Sequence, residues 1–150
     1  MRLAIEEARK GIAKGQTPFG ACIVRRNELI ARAHNHVWQN TDITAHAEIH
    51  AIRMACRKLR SIDLSGCIIY STCEPCPMCF SACHWAKISS IIYGANIPDA
   101  LRAGFHELSV SNVILKKLGK SSIKIVGGFL KEESVGLFKE WGRSKSRKVY

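Results

Sequence analysis

The stretches His46-Ala47-Glu48 and Pro75-Cys76-Pro77-Met78-Cys79 decide how the rest of the chain is organised. Together they give the pattern H-x-E followed by P-C-x-x-C, in which one imidazole and two thiolates suit a zinc ion. A tetrahedral zinc with three protein ligands keeps its fourth position open for water, which is typical of a catalytic site. Glu48 is close enough to reach that water without binding the metal. The pattern predicts one catalytic Zn²⁺ per chain, with His46, Cys76 and Cys79 as ligands.

The first stretch lies near the start of a predicted helix. Residues 44–60 show the strongest helical pattern of the chain, and Thr44 is a suitable N-cap. His46 and Glu48 then fall in or near the first turn, where both side chains can lean toward one site beyond the helix end. The predicted apolar face of this helix consists of Ile49, Ile52, Cys56 and Leu59.

The second stretch also opens a predicted helix, which covers about residues 77–86. Pro77 is tolerated in a first helical turn because the amide hydrogen it lacks has no helical partner there. Helix N-termini favour thiolate over thiol, so Cys76 and Cys79 are placed where metal binding is favoured.

Elements flanking these helices predict an α/β protein. Helical and strand patterns alternate, which gives a mixed five-stranded sheet covered by helices on both faces, a three-layer α-β-α arrangement. We expect one domain over residues 1–150, with a basic tail at 143–150. The predicted outer helices are 1–14 and 131–141, and residues 103–105 lie in a predicted loop or short helix. The predicted strands are 21–24, 29–34, 66–70, 88–93 and 123–126.

Composition limits the class of protein. Of the 150 residues, 47% are hydrophobic and 23% charged, which is ordinary for a globular domain. No apolar run approaches the roughly 20 residues that span a bilayer, so we expect a cytoplasmic protein with no membrane partner. The seven cysteines are an odd number, and four of them crowd into residues 73–83, which favours reduced thiols over a disulfide framework. The net charge of +11 is compatible with an RNA partner or with a solvated surface and a basic tail.

Other metal sites explain the pattern less well. The cysteines at 73, 76, 79 and 83 have the spacing of a ferredoxin-type cluster, but His84 stands where that motif has proline, and no second run exists. A zincin motif needs Glu at position 47, which is Ala. A structural zinc with Cys73 or Cys83 as fourth ligand would leave Glu48 without a purpose. We expect His50 on the helix surface or hydrogen-bonded near the site.

The residues therefore favour hydrolytic deamination of a nucleobase-type ring, in which oxygen replaces an exocyclic amine. Glu48 would take a proton from the attacking water, pass it to a ring nitrogen and later help protonate the leaving ammonia. One carboxylate can serve all three transfers because they occur around one carbon atom.

On these motifs the chain resembles the cytidine-deaminase-like zinc hydrolases, and within them the branch of bacterial guanine deaminases and related nucleoside deaminases. The resemblance runs from about Pro18 to Tyr150, nearly the whole chain. Besides the two zinc motifs it includes the stretches Pro18-Phe19-Gly20-Ala21, Trp85-Ala86, Ala103-Gly104-Phe105 and the terminal Trp141 to Tyr150.

The resemblance implies roles for individual residues. It implies the same ligands and Glu48 as proton shuttle, Asn35 at the purine edge, and the amide of Ala47 on a ring carbonyl. An acidic residue after the Gly-Phe pair contacts the base in this branch; here it is Glu107, preceded by His106 in place of another acid. The remaining substrate contacts that we predict are Phe19, Trp85 and Tyr150.

The resemblance also implies a homodimer whose C-terminal segment, ending in Tyr150, covers the partner's pocket. The implied reaction converts guanine to xanthine and ammonia. The alternatives are a tRNA-specific adenosine deaminase and, in a different class, a non-catalytic zinc-stabilised binding module.

Overall fold

A five-stranded mixed sheet forms the centre of the computed structural model, which describes residues 1–145 and 147–150. Ser146, in the predicted basic tail, lies outside the described residues. The strand order is β2-β1-β3-β4-β5, with β1 antiparallel to β2 and β3, and with β4 parallel to β3 and β5. The predicted sheet is thereby confirmed. The strands are β1 (Gly20–Arg25), β2 (Glu28–His34), β3 (Cys67–Cys73), β4 (Ser90–Ala95) and β5 (Lys124–Val126).

Helices cover both faces of this sheet. α1 packs on β1 and β2 and contacts α7, while α3 packs on the same two strands and contacts α4. Side chains alternate along β1, so that Cys22 turns toward α1 whereas Ile23 joins the core under α3. The four long helices are α1 (Arg2–Ala13), α3 (Ala47–Leu59), α4 (Pro77–Trp85) and α7 (Lys131–Gly142). None of the helices in the described part of the chain is long and apolar enough to cross a membrane.

Three short helices lie between the long ones, and their periodic patterns are too brief to be read from sequence. We predicted only a loop or a short helix around residues 103–105, and no helix at the other two positions. The helices are α2 (Val37–Asn40), α5 (Ile97–Arg102) and α6 (Asn112–Leu118).

The start and the buried face of α3 differ from the prediction. The N-cap is His46, and Thr44 instead bonds through its amide and hydroxyl to the carboxylate of Asp42, at 2.8 and 2.7 Å. The fully buried face consists of Ala47, Ala51 and Ala55 rather than the larger apolar residues. Small side chains let the helix lie close to the sheet, and the larger ones pack around its edges.

Gly20 permits an equally close approach on the other face. A Cβ atom at this position would lie 2.1 Å from the carbonyl oxygen of Ala4 and 2.7 Å from the amide nitrogen of Ala8. Any side chain would therefore push α1 away from β1. Gly20 directly follows Phe19, so this close contact also fixes the wall of the site described next.

Candidate active site

The N-termini of α3 and α4 meet at one point and bring the predicted zinc ligands together. His46 is the N-cap of α3, and Cys76 is the N-cap of α4, which Pro77 opens. The Nδ1 atom of His46 lies 3.7 Å from the sulfur of Cys76 and 3.5 Å from that of Cys79. All three ligand atoms fall within 4.8 Å of one another.

This donor set fits zinc. With Zn–N near 2.0–2.1 Å and Zn–S near 2.3 Å, a tetrahedral ion places nitrogen and sulfur ligands roughly 3.6 Å apart. The distances from His46 to the two sulfurs match that value. Among the residues that the structure describes, no other His, Cys, Asp or Glu joins this group. Cys73 faces the carbonyl oxygen of Asn96 at 3.7 Å, and Cys83 is buried in the hydrophobic core, as expected of small buried thiols. The arrangement fits an open site with three protein ligands.

The cluster prepares a thiolate for the metal. The hydrogen bond that Cys79 donates is the main cause that lowers the pKa of Cys76, to about 4, and His46 adds to it against the effect of burial. A thiolate is the form of cysteine that binds metal ions. Cys76 is therefore held in its ligating form near neutral pH.

Glu48 lies beside the cluster, in the first turn of α3. Its side chain is buried, and the hydroxyl of Ser71 donates a hydrogen bond to Oε1 at 2.8 Å. Oε2 lies 3.6 Å from the sulfur of Cys79. Burial raises the pKa of Glu48, so this carboxylate holds a proton more readily than one in water. Ser71 was not predicted as a site residue, because the predicted strand ends at residue 70, whereas β3 continues through Ser71 to Cys73.

A cavity of about 430 Å³ opens onto the metal cluster. A narrow recess leads further in, between Phe19, Glu48 and Glu107. Burial and the nearby Cys76 raise the pKa of Glu107 to about 7. The apolar part of the wall was not predicted, since its residues look like ordinary exposed hydrophobics in the sequence. The larger cavity is lined by Ile43, His46, Cys76, Pro77, Met78, His106, Glu107, Leu108 and Tyr150.

Tyr150, which lines this cavity, hydrogen-bonds the predicted substrate residue Asn35. Asn35 is fully buried; its Oδ1 accepts a hydrogen bond from the amide of Val37 at 2.9 Å, and its Nδ2 donates to the Tyr150 hydroxyl at 2.8 Å. The Tyr150 ring lies 5.8 Å from the His46 ring. We predicted that this tail covers the pocket of a partner, but in the structure of the single chain it covers the chain's own pocket.

The other predicted substrate residues differ in position. Phe19 lines the recess and also packs edge-on against Phe105, with ring centroids 4.8 Å apart, so it belongs both to the wall of the site and to the core. Ala47 is the first residue of α3, so its amide is among those with no acceptor inside the helix. Trp85 is not at the site. It ends the nine-residue helix α4, roughly 13 Å from the start of that helix, and is 78% exposed.

Three histidine rings lie together next to Asn35, with His36 stacked on His34 and tilted against His50. The His36 ring lies 4.2 Å from the His34 ring and 4.5 Å from the His50 ring. Burial, together with the charge that each neighbouring imidazole would carry, lowers the pKa of His36 to about 4. His50, expected on the helix surface or hydrogen-bonded near the site, is half-buried, and its Nε2 has no hydrogen-bond partner among the described residues.

Acid should destabilise the fold through this stack. His36 titrates near 6.5 in the unfolded chain and near 4 in the folded one, so below pH 6.5 the unfolded state binds more protons. The free energy of unfolding keeps its full value above about pH 6.5 and falls as the pH drops toward 4. The fall is about 1–2 kcal/mol, because solvent screens a half-buried group such as His36. Urea unfolding at several pH values, compared between the parent and His36→Phe, measures the effect. Between pH 6.5 and 4 the free energy of unfolding should fall more in the parent than in His36→Phe, and an equal fall in both proteins would contradict the prediction.

Comparison with known proteins agrees with this geometry. The model of the cytidine and deoxycytidylate deaminase zinc-binding region matches residues 1–95. The chain belongs to this family of zinc-binding deaminases. Its predicted fold class and zinc cofactor are thereby confirmed, and the chain is a hydrolase rather than a non-catalytic zinc module.

Relatives of this deaminase act on two kinds of substrate. Guanine deaminase of Bacillus subtilis (strain 168) is 38% identical over 148 residues, which cover 99% of this chain and 92% of the relative. The tRNA-specific adenosine deaminase of the same organism is 34% identical over 148 residues, 99% of this chain and 89% of the relative. The solved structure of guanine deaminase from Nitrosomonas europaea superposes with a TM-score of 0.86 at 30% identity, over 94% of this chain and 81% of that one. These comparisons establish the reaction class and leave the choice of substrate to the site itself.

Proposed function

We propose that this deaminase hydrolyses guanine to xanthine and ammonia. The observation that carries the proposal is the position of the C-terminal tail, which lies across the metal cluster and leaves a cavity of about 430 Å³. A cavity of this size suits a free base, whereas a nucleotide within an RNA loop would need the tail to move away. The tail is held in place: Trp38 donates from Nε1 to the carbonyl oxygen of Lys148 at 3.2 Å.

Glu107 supplies a second reason to favour guanine. Guanine carries an N–H group and an amine side by side on one edge, and a carboxylate is an acceptor that matches two adjacent donors. Adenine has no such pair on its ring edge. Glu107 lines both the cavity and the recess beside Glu48, so its carboxylate faces the place where the reacting ring would lie.

The chemistry divides between the metal and Glu48. Zinc held by His46, Cys76 and Cys79 would lower the pKa of a water molecule toward about 7 and so supply a nucleophile near neutral pH. Glu48 accepts a proton from the attacking water and delivers it to the ring nitrogen beside the reacting carbon. As the C–N bond breaks, Glu48 takes the remaining proton from the hydroxyl group now on the reacting carbon and delivers it to the leaving amine, so that guanine plus water gives xanthine plus ammonia. Ser71 holds the carboxylate in one orientation throughout.

Asn35 would anchor the far edge of the purine. Its carboxamide is fixed by the amide of Val37 and by the Tyr150 hydroxyl, and the second hydrogen of Nδ2 and the second lone pair of Oδ1 are still available to a ligand. The amide of Ala47 at the start of α3 would donate to the ring carbonyl. These contacts would orient the ring before the reaction begins.

One set of assays tests the choice of substrate. The zinc-loaded enzyme is given guanine, guanosine, cytosine, cytidine, adenine or a tRNA anticodon stem-loop, and ammonia or inosine is measured. We expect guanine to give the highest kcat/KM. Activity on the stem-loop alone would refute the proposal.

That outcome would support the second candidate, a tRNA-specific adenosine deaminase. A net charge of +11 favours binding to RNA, and the relative from Bacillus subtilis with this activity covers almost the same length. In this case the tail would have to leave the cavity before an anticodon loop could enter.

We also propose a homodimer in the cytoplasm, where the seven free cysteines would stay reduced. The support is an exposed apolar surface: Trp85 at the end of α4 is 78% exposed, and Ile114 and Leu118 of α6 are 48% and 76% exposed. If two chains exchanged their tails, Tyr150 of one chain would take the place at Asn35 that the other chain's own Tyr150 occupies in the single chain. Light scattering during gel filtration should give twice the mass of 16.7 kDa, and a monomer would contradict the proposal.

A further inference from the structure

A buried carboxylate two residues before the first metal-binding cysteine hydrogen-bonds the starts of two helices, α5 and α6. Glu74 stands two positions before Cys76 and is 6% exposed. One of its carboxylate oxygens accepts a hydrogen bond from the amide of Asn112 at 2.9 Å, and the other accepts one from the amide of Ile97 at 3.4 Å. Its own amide donates to the carbonyl oxygen of Ala95 at 2.8 Å. Glu74 thereby connects the metal loop to the end of β4 and to the first residues of α5 and α6.

Asn112 completes the connection in the opposite direction. Its side chain is fully buried, and Nδ2 donates to the carbonyl oxygen of Pro75 at 2.6 Å. Pro75 is covalently joined to Cys76, so this bond acts one residue from a zinc ligand. We call the pair Glu74 and Asn112, with these hydrogen bonds, the Glu74–Asn112 clamp.

The clamp spans the part of the chain that would recognise the base. α5 begins at Ile97 and α6 at Asn112, and the segment 103–111 between these helices carries Glu107 and Leu108, which line the cavity. The same carboxylate therefore fixes the loop that bears Cys76 and the helices at both ends of this segment. Besides these two backbone amides, the hydroxyl of Tyr93 hydrogen-bonds the Glu74 carboxylate, and within the described part of the chain Glu74 forms no ion pair.

We propose that Glu74 and Asn112 are positioning residues that set the geometry of the zinc ligand Cys76 and of the segment 103–111 together. Partners that orient metal ligands commonly change metal affinity by about 10- to 100-fold when they are removed. A charge-free amide in place of Glu74 would turn a donor toward one of the two amides that it now accepts from. The part of the proposal that concerns the base depends on the proposed guanine deaminase function, and the part that concerns zinc does not.

The experiment compares Glu74→Gln and Asn112→Ala with Glu7→Gln as a matched control. Glu7 is also a buried carboxylate, 8% exposed, but it lies on α1 and pairs with Lys10 and Arg32. Zinc affinity is measured by competition with a chelator, and the visible absorption of the Co²⁺-loaded proteins reports ligand geometry. We expect zinc binding about 10- to 100-fold weaker and a shifted cobalt spectrum in both clamp variants. The control should lose some thermal stability and keep the parent zinc affinity and spectrum.

Steady-state kinetics at saturating zinc then test the coupling to the base. The KM for guanine should rise in both clamp variants, and an unchanged KM would overturn the coupling to the segment 103–111. Parent zinc affinity and spectrum in Asn112→Ala would overturn the proposal even if Glu74→Gln failed to fold. Failure of the parent protein to act on guanine would refute the proposed function and leave the zinc measurements valid.

Discussion

Glu48→Gln should abolish ammonia release while leaving the fold and the zinc content unchanged. The amide keeps the shape of the side chain and can still accept the hydrogen bond of Ser71, but it cannot carry a proton between the water, the ring and the leaving amine. Removing a positioned proton carrier commonly costs 10²–10⁴-fold, and here one residue serves all three transfers, so we expect a fall in kcat of about 10³-fold or more. Ammonia release from guanine and zinc content by metal analysis are the two measurements.

Glu7→Gln provides the control for this prediction as well. It removes a buried carboxylate of α1 that lines neither the cavity nor the recess at the metal cluster, so its kcat should stay near that of the parent. Ammonia release by Glu48→Gln at the parent rate would remove Glu48 from the mechanism. Loss of zinc from Glu48→Gln would instead mean that this carboxylate stabilises the metal site. The zinc content is measured for this reason, because Oε2 of Glu48 lies only 3.6 Å from the sulfur of Cys79.

Local chemistry made the zinc site predictable from the sequence. Proline is favoured at the first position of a helix for purely local reasons, so Pro77 indicates where α4 begins. Cys76 and Cys79 are three residues apart at this helix start, and their side chains therefore lie on the same side. The third ligand, His46, lies at the start of a second helix, α3, for which the sequence predicted a different N-cap. Thr44 has the better N-cap side chain, yet its hydroxyl bonds Asp42, and His46 becomes the N-cap with its ring turned toward the sulfurs. Local propensity thus favours Thr44 as the N-cap, but its bond to Asp42 leaves the cap two residues further on, at His46.

Features that depend on distant parts of the chain were not predictable in the same way. Trp85 lies on the same short helix as Cys79, but at the opposite end from the metal ligands. Its closeness in sequence to Cys79 therefore wrongly predicted a position at the site. Tyr150 reaches Asn35 across 115 positions of sequence, and no local pattern specifies which pocket a tail will enter. The Glu74–Asn112 clamp has the same character, because its partners lie 38 residues apart in sequence.

Replacing Cys79 by alanine should remove zinc and activity together, and Cys83→Ala should do neither. Cys79 provides one of the three atoms that gather at the metal position, whereas Cys83, four residues later on the same helix, is buried in the core. Loss of one ligand from three should weaken zinc binding by more than about 100-fold, a larger effect than the loss of an orienting partner. Metal analysis after dialysis and ammonia release from guanine measure both effects, and Cys83→Ala corrects for the removal of a buried thiol. If Cys83→Ala lost zinc as Cys79→Ala does, the ion would have four protein ligands and no position for water, and the deaminase mechanism derived from an open site could not operate.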